Sequence, residues 1–252
     1  MKYFFDTEFL EGPQTVCGFW KTKPTIDLIS IGIVDEGGRE YYAVSKDFNL
    51  KEAWYRHDIV DGDVVYWIRD NVLLPIYLDW VHGDQRNRVD FSYYGMKTLL
   101  KEYGKSNKKI AQEIVKFVSV IDMSEQTNDY IIWMATHQVT LNKPEFYAYY
   151  ADYDWVVFCW LFGRMIDLPD DFPQYCIDLK QTLDRQVDLQ HMYYNRDVCG
   201  TMTYKDRPAS FEEKLGKVKS FASFPKETNE HHSLADARWT KQLYEFIKKR
   251  LV

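Results

Sequence analysis

The stretch "KYFFDTEFL" at residues 2–10 is short and rich in aromatic residues, a composition typical of a β-strand. Asp6 and Glu8 lie two positions apart, so they project from the same face of such a strand, while Phe5 and Phe9 face the other way. Two neighbouring carboxylates in an apolar strand repel each other and are costly to bury without a cation. The pair therefore predicts either a solvated edge strand or a metal site.

The rest of the chain predicts a mixed α/β domain. Residues 25–36 ("TIDLISIGIVDE") are almost continuously apolar and predict a second strand, and residues 39–48 predict a third, joined to the second by a tight turn at "EGG". Further strands are expected at residues 129–136, 144–150 and 174–180, a polar loop at 181–203, and helices at 105–120, 153–165 and 233–251. Antiparallel strands followed by alternating strands and helices indicate a single domain over residues 1–252.

The composition narrows the classes of function. The chain has 252 residues and a formal net charge of −6, so it gains no general counterion-release affinity for duplex nucleic acid, although local action through bound cations stays open. Its four scattered cysteines form no Cys-x-x-Cys pair, which disfavours a disulfide framework and a zinc site. The acidic residues near the N-terminus disfavour a signal peptide, and no apolar run approaches the ~20 residues of a membrane span. We therefore expect a soluble, cytoplasmic protein.

A second acidic position lies in "YADYDWVVFCWLFG", residues 150–163. If a helix begins near Asp154, then Val157, Phe158 and Leu161 follow at helical spacing, and the carboxylate heads the inward stripe. Asp152 lies outside that apolar register. An N-cap that accepts backbone N–H bonds is an equally good explanation of Asp154.

A third acidic position lies in "NEHHSLADARW", residues 229–239. Asp236 shares one helical face with Trp239 and Leu243, so it also points inward. The pattern Ser-x-x-Asp is typical of a capping box with Ser233 as the N-cap, and that reading is the stronger one when this site is taken alone.

Asp6, Glu8, Asp154 and Asp236 indicate a metal site more strongly when the four are considered together than when each is considered alone. We expect all four on the same interior surface of the sheet, and separate capping roles do not explain why inward stripes carry acids repeatedly. A pair of Mg²⁺ or Mn²⁺ ions offsets roughly four negative charges. Two such ions ~3.5–4 Å apart form the clamp used in phosphodiester hydrolysis.

With these residues in view, the chain resembles the DEDDh 3′→5′ exonucleases of ribonuclease H-like fold, and within them the bacterial and phage exoribonuclease-like branch. The motifs that carry the resemblance follow in this order: "FFDTEF", "DLISIGIV", "REYYAV", "WIRDNVL", "EFYAYYADYDWVV", "QYCIDLKQ" and "HHSLADAR". Two features depart from the pattern. Residues near 80–100 and 121–141 look like insertions, and "YYADYD" replaces the Asn-rich approach to the third carboxylate of many relatives.

The resemblance implies a mixed five-stranded sheet with helices on both faces and the acidic cluster at its centre. Asp6, Glu8, Asp154 and Asp236 are then the ligands of two metal ions, one activating the attacking water and the other stabilising the leaving 3′-oxygen. A histidine five residues before the last aspartate takes the proton of the water, which assigns this role to His231.

The implied reaction is removal of nucleoside 5′-monophosphates from the 3′ end of single-stranded RNA or short oligonucleotides. The alternatives are the same chemistry on DNA, and a non-catalytic nucleic-acid-binding or regulatory protein on the same fold. Phe9 is the best candidate for stacking on a substrate base, while Trp155 fits the core better. His232 is expected either to contact phosphate or to cover a partly exposed loop. The sequence is also compatible with a homodimer.

Overall fold

The computed structural model of the protein describes residues 1–16, 20–83, 90–119, 143–194 and 210–250. Its strands are β1 (Lys2–Gly12), β2 (Thr15–Val16), β3 (Trp20–Lys21), β4 (Thr25–Asp35), β5 (Glu40–Val44), β6 (Asp58–Val60), β7 (Asp63–Val65), β8 (Glu145–Ala148) and β9 (Ile177–Asp178). Its α-helices are α1 (Leu50–Tyr55), α2 (Leu74–Gly83), α3 (Tyr93–Glu102), α4 (Asn107–Ser119), α5 (Ala151–Phe162), α6 (Leu179–Tyr194), α7 (Phe211–Lys219) and α8 (Ser233–Arg250). A π-helical turn, Arg69–Leu73, leads into α2, and a short 3₁₀-helix, Met165–Asp167, follows α5.

Five strands form one mixed sheet in the order β5-β4-β1-β8-β9. Strand β4 is antiparallel to both β5 and β1, whereas β8 lies parallel to β1 and β9 parallel to β8. A turn with Gly38 at φ 95° joins β4 to β5, a conformation that glycine adopts without steric cost. The predicted mixed α/β architecture and its antiparallel opening are confirmed.

Strand β1 is covered on both faces because its side chains alternate between two cores. Tyr3 and Phe5 pack with Phe158 of α5, whereas Phe4 packs with Trp239 and other residues of α8. A third cluster packs α1, α2 and α3 against β4 and β5. A strand that is buried on both sides is not the solvated edge strand that the "DTE" motif alone allowed, so its carboxylates lie at the centre of the molecule.

One predicted loop is wrong over most of its length, because residues 181–194 belong to α6. Leu179, Leu183 and Val187 recur every four residues and are buried in the same core as Phe4. Because polar residues separate these three apolar positions, the sequence did not show an obvious helical pattern. The strand expected at 129–136 lies outside the described residues. Among the residues that are described, no helix has both the length and the apolar character needed to cross a bilayer.

A glycine permits the closest contact between the C-terminal helix and the sheet. Gly32 of β4 lies opposite Asp6 of β1 in the sheet register. A Cβ atom at position 32 would lie 2.3 Å from the Cα atom of Leu234 and 2.4 Å from the carbonyl oxygen of Ser233. Because both of these are backbone atoms, no side-chain rotation relieves the clash. Gly32 therefore allows α8 to begin directly above the acidic segment of β1.

Gly32→Ala is expected to destabilise the protein by about 3 kcal/mol or more, because the start of α8 must move away from the sheet. The matched control is Gly216→Ala in α7, where an added Cβ has nothing within 4 Å. That change should be neutral or stabilising by up to about 1 kcal/mol, since alanine favours the helix. Urea unfolding curves measure both. Equal stabilities for the two variants would show that α8 does not depend on this contact.

Candidate active site

Three carboxylates meet above the centre of the sheet. Asp6 and Glu8 project from one face of β1, and Asp236 comes from the first turn of α8. One oxygen from each carboxylate lies within 4.8 Å of the others. This is the spacing of groups that can share a cation, and oxygen is the donor that Mg²⁺ and Mn²⁺ prefer.

Asp154 reaches the site from the opposite side of the sheet, which differs from the expected single surface. Helix α5 packs on the core of Phe5 and Phe158, whereas α8 packs on the core of Phe4. The Oδ1 atom of Asp154 accepts hydrogen bonds from the backbone N–H of Thr7 at 2.9 Å and from its hydroxyl at 2.5 Å. Asp154 therefore approaches the site through Thr7, the residue between Asp6 and Glu8, and it lies outside the close group of three.

The four carboxylates line one open cavity of about 690 Å³. His231 is also in its wall, as is Phe9, whose ring lies 5.8 Å from that of Tyr153. Trp155 is absent from the lining and stacks on Phe158 at 5.1 Å, so the prediction that it packs in the core is confirmed.

Burial raises the pKa of every carboxyl group in the cluster, and repulsion by the other members raises the pKa values of Asp6 and Glu8 further. The pKa of Asp6 is well above its usual range, first because burial removes water and then because Asp154, Glu8 and Asp236 are negative. Burial, followed by the charges of Asp236 and Asp154, raises the pKa of Glu8 to about 8. Burial likewise raises the pKa of Asp236 to about 7 and that of Asp154 to about 6, the latter against the lowering effect of the Thr7 hydrogen bonds. Divalent cations would relieve this repulsion, so the donor set fits a metal centre.

The two adjacent histidines occupy different environments. His231 lines the cavity with its backbone at φ 63°, and its ring meets that of Trp67 edge-on at 4.8 Å. His232 is only 4% exposed and its ring stacks on Tyr42 at 4.7 Å. Its Nε2 lies 2.9 Å from Oδ2 of Asp79, within ion-pair distance. Burial lowers the pKa of His232 more than Asp79 raises it.

This placement contradicts the expectation that His232 covers a partly exposed loop, while its contact with phosphate stays a prediction. The residue is neither in the cavity wall nor in a partly exposed loop, because its ring fills the space between Tyr42 and Asp79. The predicted capping role of Ser233 also changes. Its hydroxyl lies 3.0 Å from that of Ser30 on β4, and the side chain is completely buried. Both side chains thus hold the start of α8 against its neighbours.

Sequence reasoning missed several residues of the site, among them Thr7, Trp67 and Tyr150. Thr7 holds Asp154, and its position inside "DTE" was the available signal. Trp67 and Tyr150 line the cavity. Trp67 lies in a region of mixed helical and loop pattern, and Tyr150 was hidden among several neighbouring tyrosines, so no spacing rule singled out either residue.

The sheet and its acidic central strand form an α/β architecture compatible with the ribonuclease H-like fold. The family described as the 3′-5′ exoribonuclease Rv2179c-like domain matches residues 2–248, so the chain belongs to that family. Two curated proteins of Mycobacterium tuberculosis, from strains CDC 1551 and H37Rv, are each named as a 3′-5′ exoribonuclease. Each is 28% identical to this chain over 181 residues, which is 72% of this chain and 73% of the relative.

The stabilising effect of Mg²⁺ should increase with pH. Carboxyl groups whose pKa is raised on folding favour the native state at low pH, and this contribution is lost as the pH rises through their folded pKa values, here about 6 for Asp154, about 7 for Asp236 and about 8 for Glu8. A cation must displace these protons, so it binds more weakly at low pH. We expect a larger rise in Tm on adding Mg²⁺ to EDTA-treated protein at pH 8 than at pH 6.

Thermal unfolding with and without Mg²⁺ at each pH isolates this effect, since other titrating groups contribute to both scans. Asp6→Asn with Glu8→Gln serves as the control and should abolish the shift. A shift of equal size at both pH values would contradict the account.

Thr7→Val should weaken Mg²⁺ binding by about 10- to 100-fold, the usual cost of losing a group that orients a metal ligand. Valine keeps the shape of the side chain and leaves the backbone N–H bond to Asp154, but removes the hydroxyl donor. Calorimetric titration measures the affinity. Thr98→Val, which removes a hydroxyl bonded to the carbonyl of Tyr94, is the control. Unchanged affinity in Thr7→Val would show that Asp154 needs no orientation by this hydroxyl.

Proposed function

We propose that the chain is a DEDDh-type, metal-dependent 3′→5′ exonuclease that shortens single-stranded RNA or short oligonucleotides and releases nucleoside 5′-monophosphates. The observation that carries the proposal is the group of three carboxylates within 4.8 Å of one another in an open cavity. Membership of a 3′-5′ exoribonuclease family supports shortening from the 3′ end and favours RNA over DNA as the substrate.

The acidic cluster is suited to holding two divalent cations, with Asp6, Glu8 and Asp236 as close neighbours and Asp154 as the fourth ligand. When bound, such a pair activates a water molecule and stabilises the charge on the leaving 3′-oxygen. Without cations, ionised carboxylates in this cavity would repel a phosphodiester. The protein therefore requires metal ions both to bind its substrate and to cleave it.

His231 is the proposed general base. It lies in the wall of the same cavity as the carboxylates, two residues before α8 begins, and it is more exposed than the buried His232. Neutral imidazole accepts a proton near physiological pH, so His231 can take the proton of the attacking water. The edge-on ring of Trp67 restricts the movement of the imidazole.

Phe9 and Tyr153 offer a place for the substrate next to the metal ligands. Their rings lie 5.8 Å apart, and both line the cavity. Phe9 follows Glu8 directly, at the point where the pairing of β1 with β4 shifts by one residue of β4. A base of a single-stranded 3′ end can stack on such rings regardless of its identity.

The test uses 5′-labelled RNA and DNA oligomers of one sequence with Mg²⁺, Mn²⁺ or EDTA. The wild-type protein should produce a ladder from the 3′ end only with metal, and faster on RNA. Asp6→Asn should abolish the ladder. His231→Asn should lower kcat by about 10²- to 10⁴-fold, as expected for loss of a general base. Asparagine is chosen because it tolerates the left-handed backbone at this position.

His57→Asn is the control for the histidine substitution, since His57 is exposed and is not in the cavity wall. It should leave kcat unchanged. Binding without shortening in every metal would show a non-catalytic nucleic-acid-binding protein, and faster shortening of DNA would show an exodeoxyribonuclease. Loss of turnover in His232→Asn with full turnover in His231→Asn would contradict the assignment of the base.

A further inference from the structure

Tyr150 has a backbone conformation that its local structure does not explain. It precedes α5 with φ 58° and ψ 49°, in the left-handed region where glycine and asparagine are the usual residues. Its side chain makes no capping hydrogen bond to the helix. The N–H of Ala151 is instead satisfied by Oδ2 of Asp178 on β9, at 3.2 Å. Neither the backbone nor the helix cap therefore accounts for a tyrosine at this position.

Core packing does not account for the residue either. The side chain of Tyr150 is 63% exposed, and it forms part of the cavity wall that contains the four carboxylates. The ring of Tyr149 meets it edge-on at 4.8 Å, and Nζ of Lys180 lies 5.6 Å from its centroid. The ring is thus held by two neighbours while most of its surface stays open.

We propose that Tyr150 is a substrate-binding residue, on whose ring stacks the base of one of the last two nucleotides at the 3′ end. This inference rests on the proposed exonuclease function and identifies a place where that site recognises a nucleobase. Every base has an aromatic face, so a tyrosine contact serves substrates of any sequence. Strained backbone positions cluster at functional sites, where the cost in stability is retained for the sake of function.

The proposal predicts opposite effects of one substitution on stability and on binding. Tyr150→Asn relieves the strained conformation, so Tm should rise by ~2–4 °C. The same change removes the stacking surface, so KM for an oligonucleotide should rise about 5- to 100-fold. A purely structural tyrosine would behave differently, because its loss would lower Tm.

The test measures Tm and KM for the wild-type chain, Tyr150→Asn, and the control Tyr175→Asn. Tyr175 is 66% exposed but lies outside the cavity wall, so KM should be unaffected there. Tyr150→Phe keeps the ring and should restore most of the wild-type KM. The substrates are one RNA oligomer and two derivatives that lack the base of the last or of the penultimate nucleotide.

If Tyr150 contacts a base, the difference in KM between wild type and Tyr150→Asn should vanish for one of the two abasic oligomers. An unchanged KM in Tyr150→Asn would overturn the inference, and so would a difference that persists equally with both abasic oligomers. These results are distinct from failure of the proposed function, in which the wild-type protein itself would shorten no oligomer.

Discussion

Repulsion between closely spaced, partly buried carboxylates is the constraint on which the arrangement of this molecule depends. The fold brings Asp6, Glu8 and Asp236 within 4.8 Å of one another, and burial raises the pKa of each. Such a cluster opposes folding at neutral pH unless protons or cations neutralise it. Aromatic cores on both sides of β1 stabilise the strand that carries two of these acids. The strand that carries the acids is thus packed on both faces, around a site whose repulsion divalent cations would relieve.

The first turns of two helices, α5 and α8, complete the site, and the two have a similar local structure. Asp154 and Asp236 lie in the first turns of α5 and α8, and each helix is preceded by a residue with left-handed backbone, Tyr150 and His231 respectively. Both of these residues line the cavity. Each loop therefore turns sharply into its helix, and it directs one side chain of the loop and one carboxylate of the helix into the same cavity. Gly32 makes this arrangement possible for α8, since a larger residue would push the helix away.

The sequence predicted the position of a side chain correctly where that position depends on a single strand or helix. The alternation of β1 placed Asp6 and Glu8 on one face, and the apolar stripe of α5 predicted the burial of Asp154, which is 6% exposed. Prediction from the sequence failed where the position of a side chain depends on contacts between different strands and helices. The hydrogen bonds from Thr7 to Asp154 and the burial of His232 arise from packing between distant segments, which no local pattern encodes.

The central claim is that the carboxylates of β1, α5 and α8 hold a pair of divalent cations. Anomalous diffraction from crystals grown with Mn²⁺ and a nucleoside 5′-monophosphate tests it most directly. The account predicts two manganese peaks ~3.5–4 Å apart, the spacing of two-metal sites, surrounded by Asp6, Glu8, Asp154 and Asp236. Fully occupied manganese elsewhere on the protein, with no peak among these four residues, would contradict it.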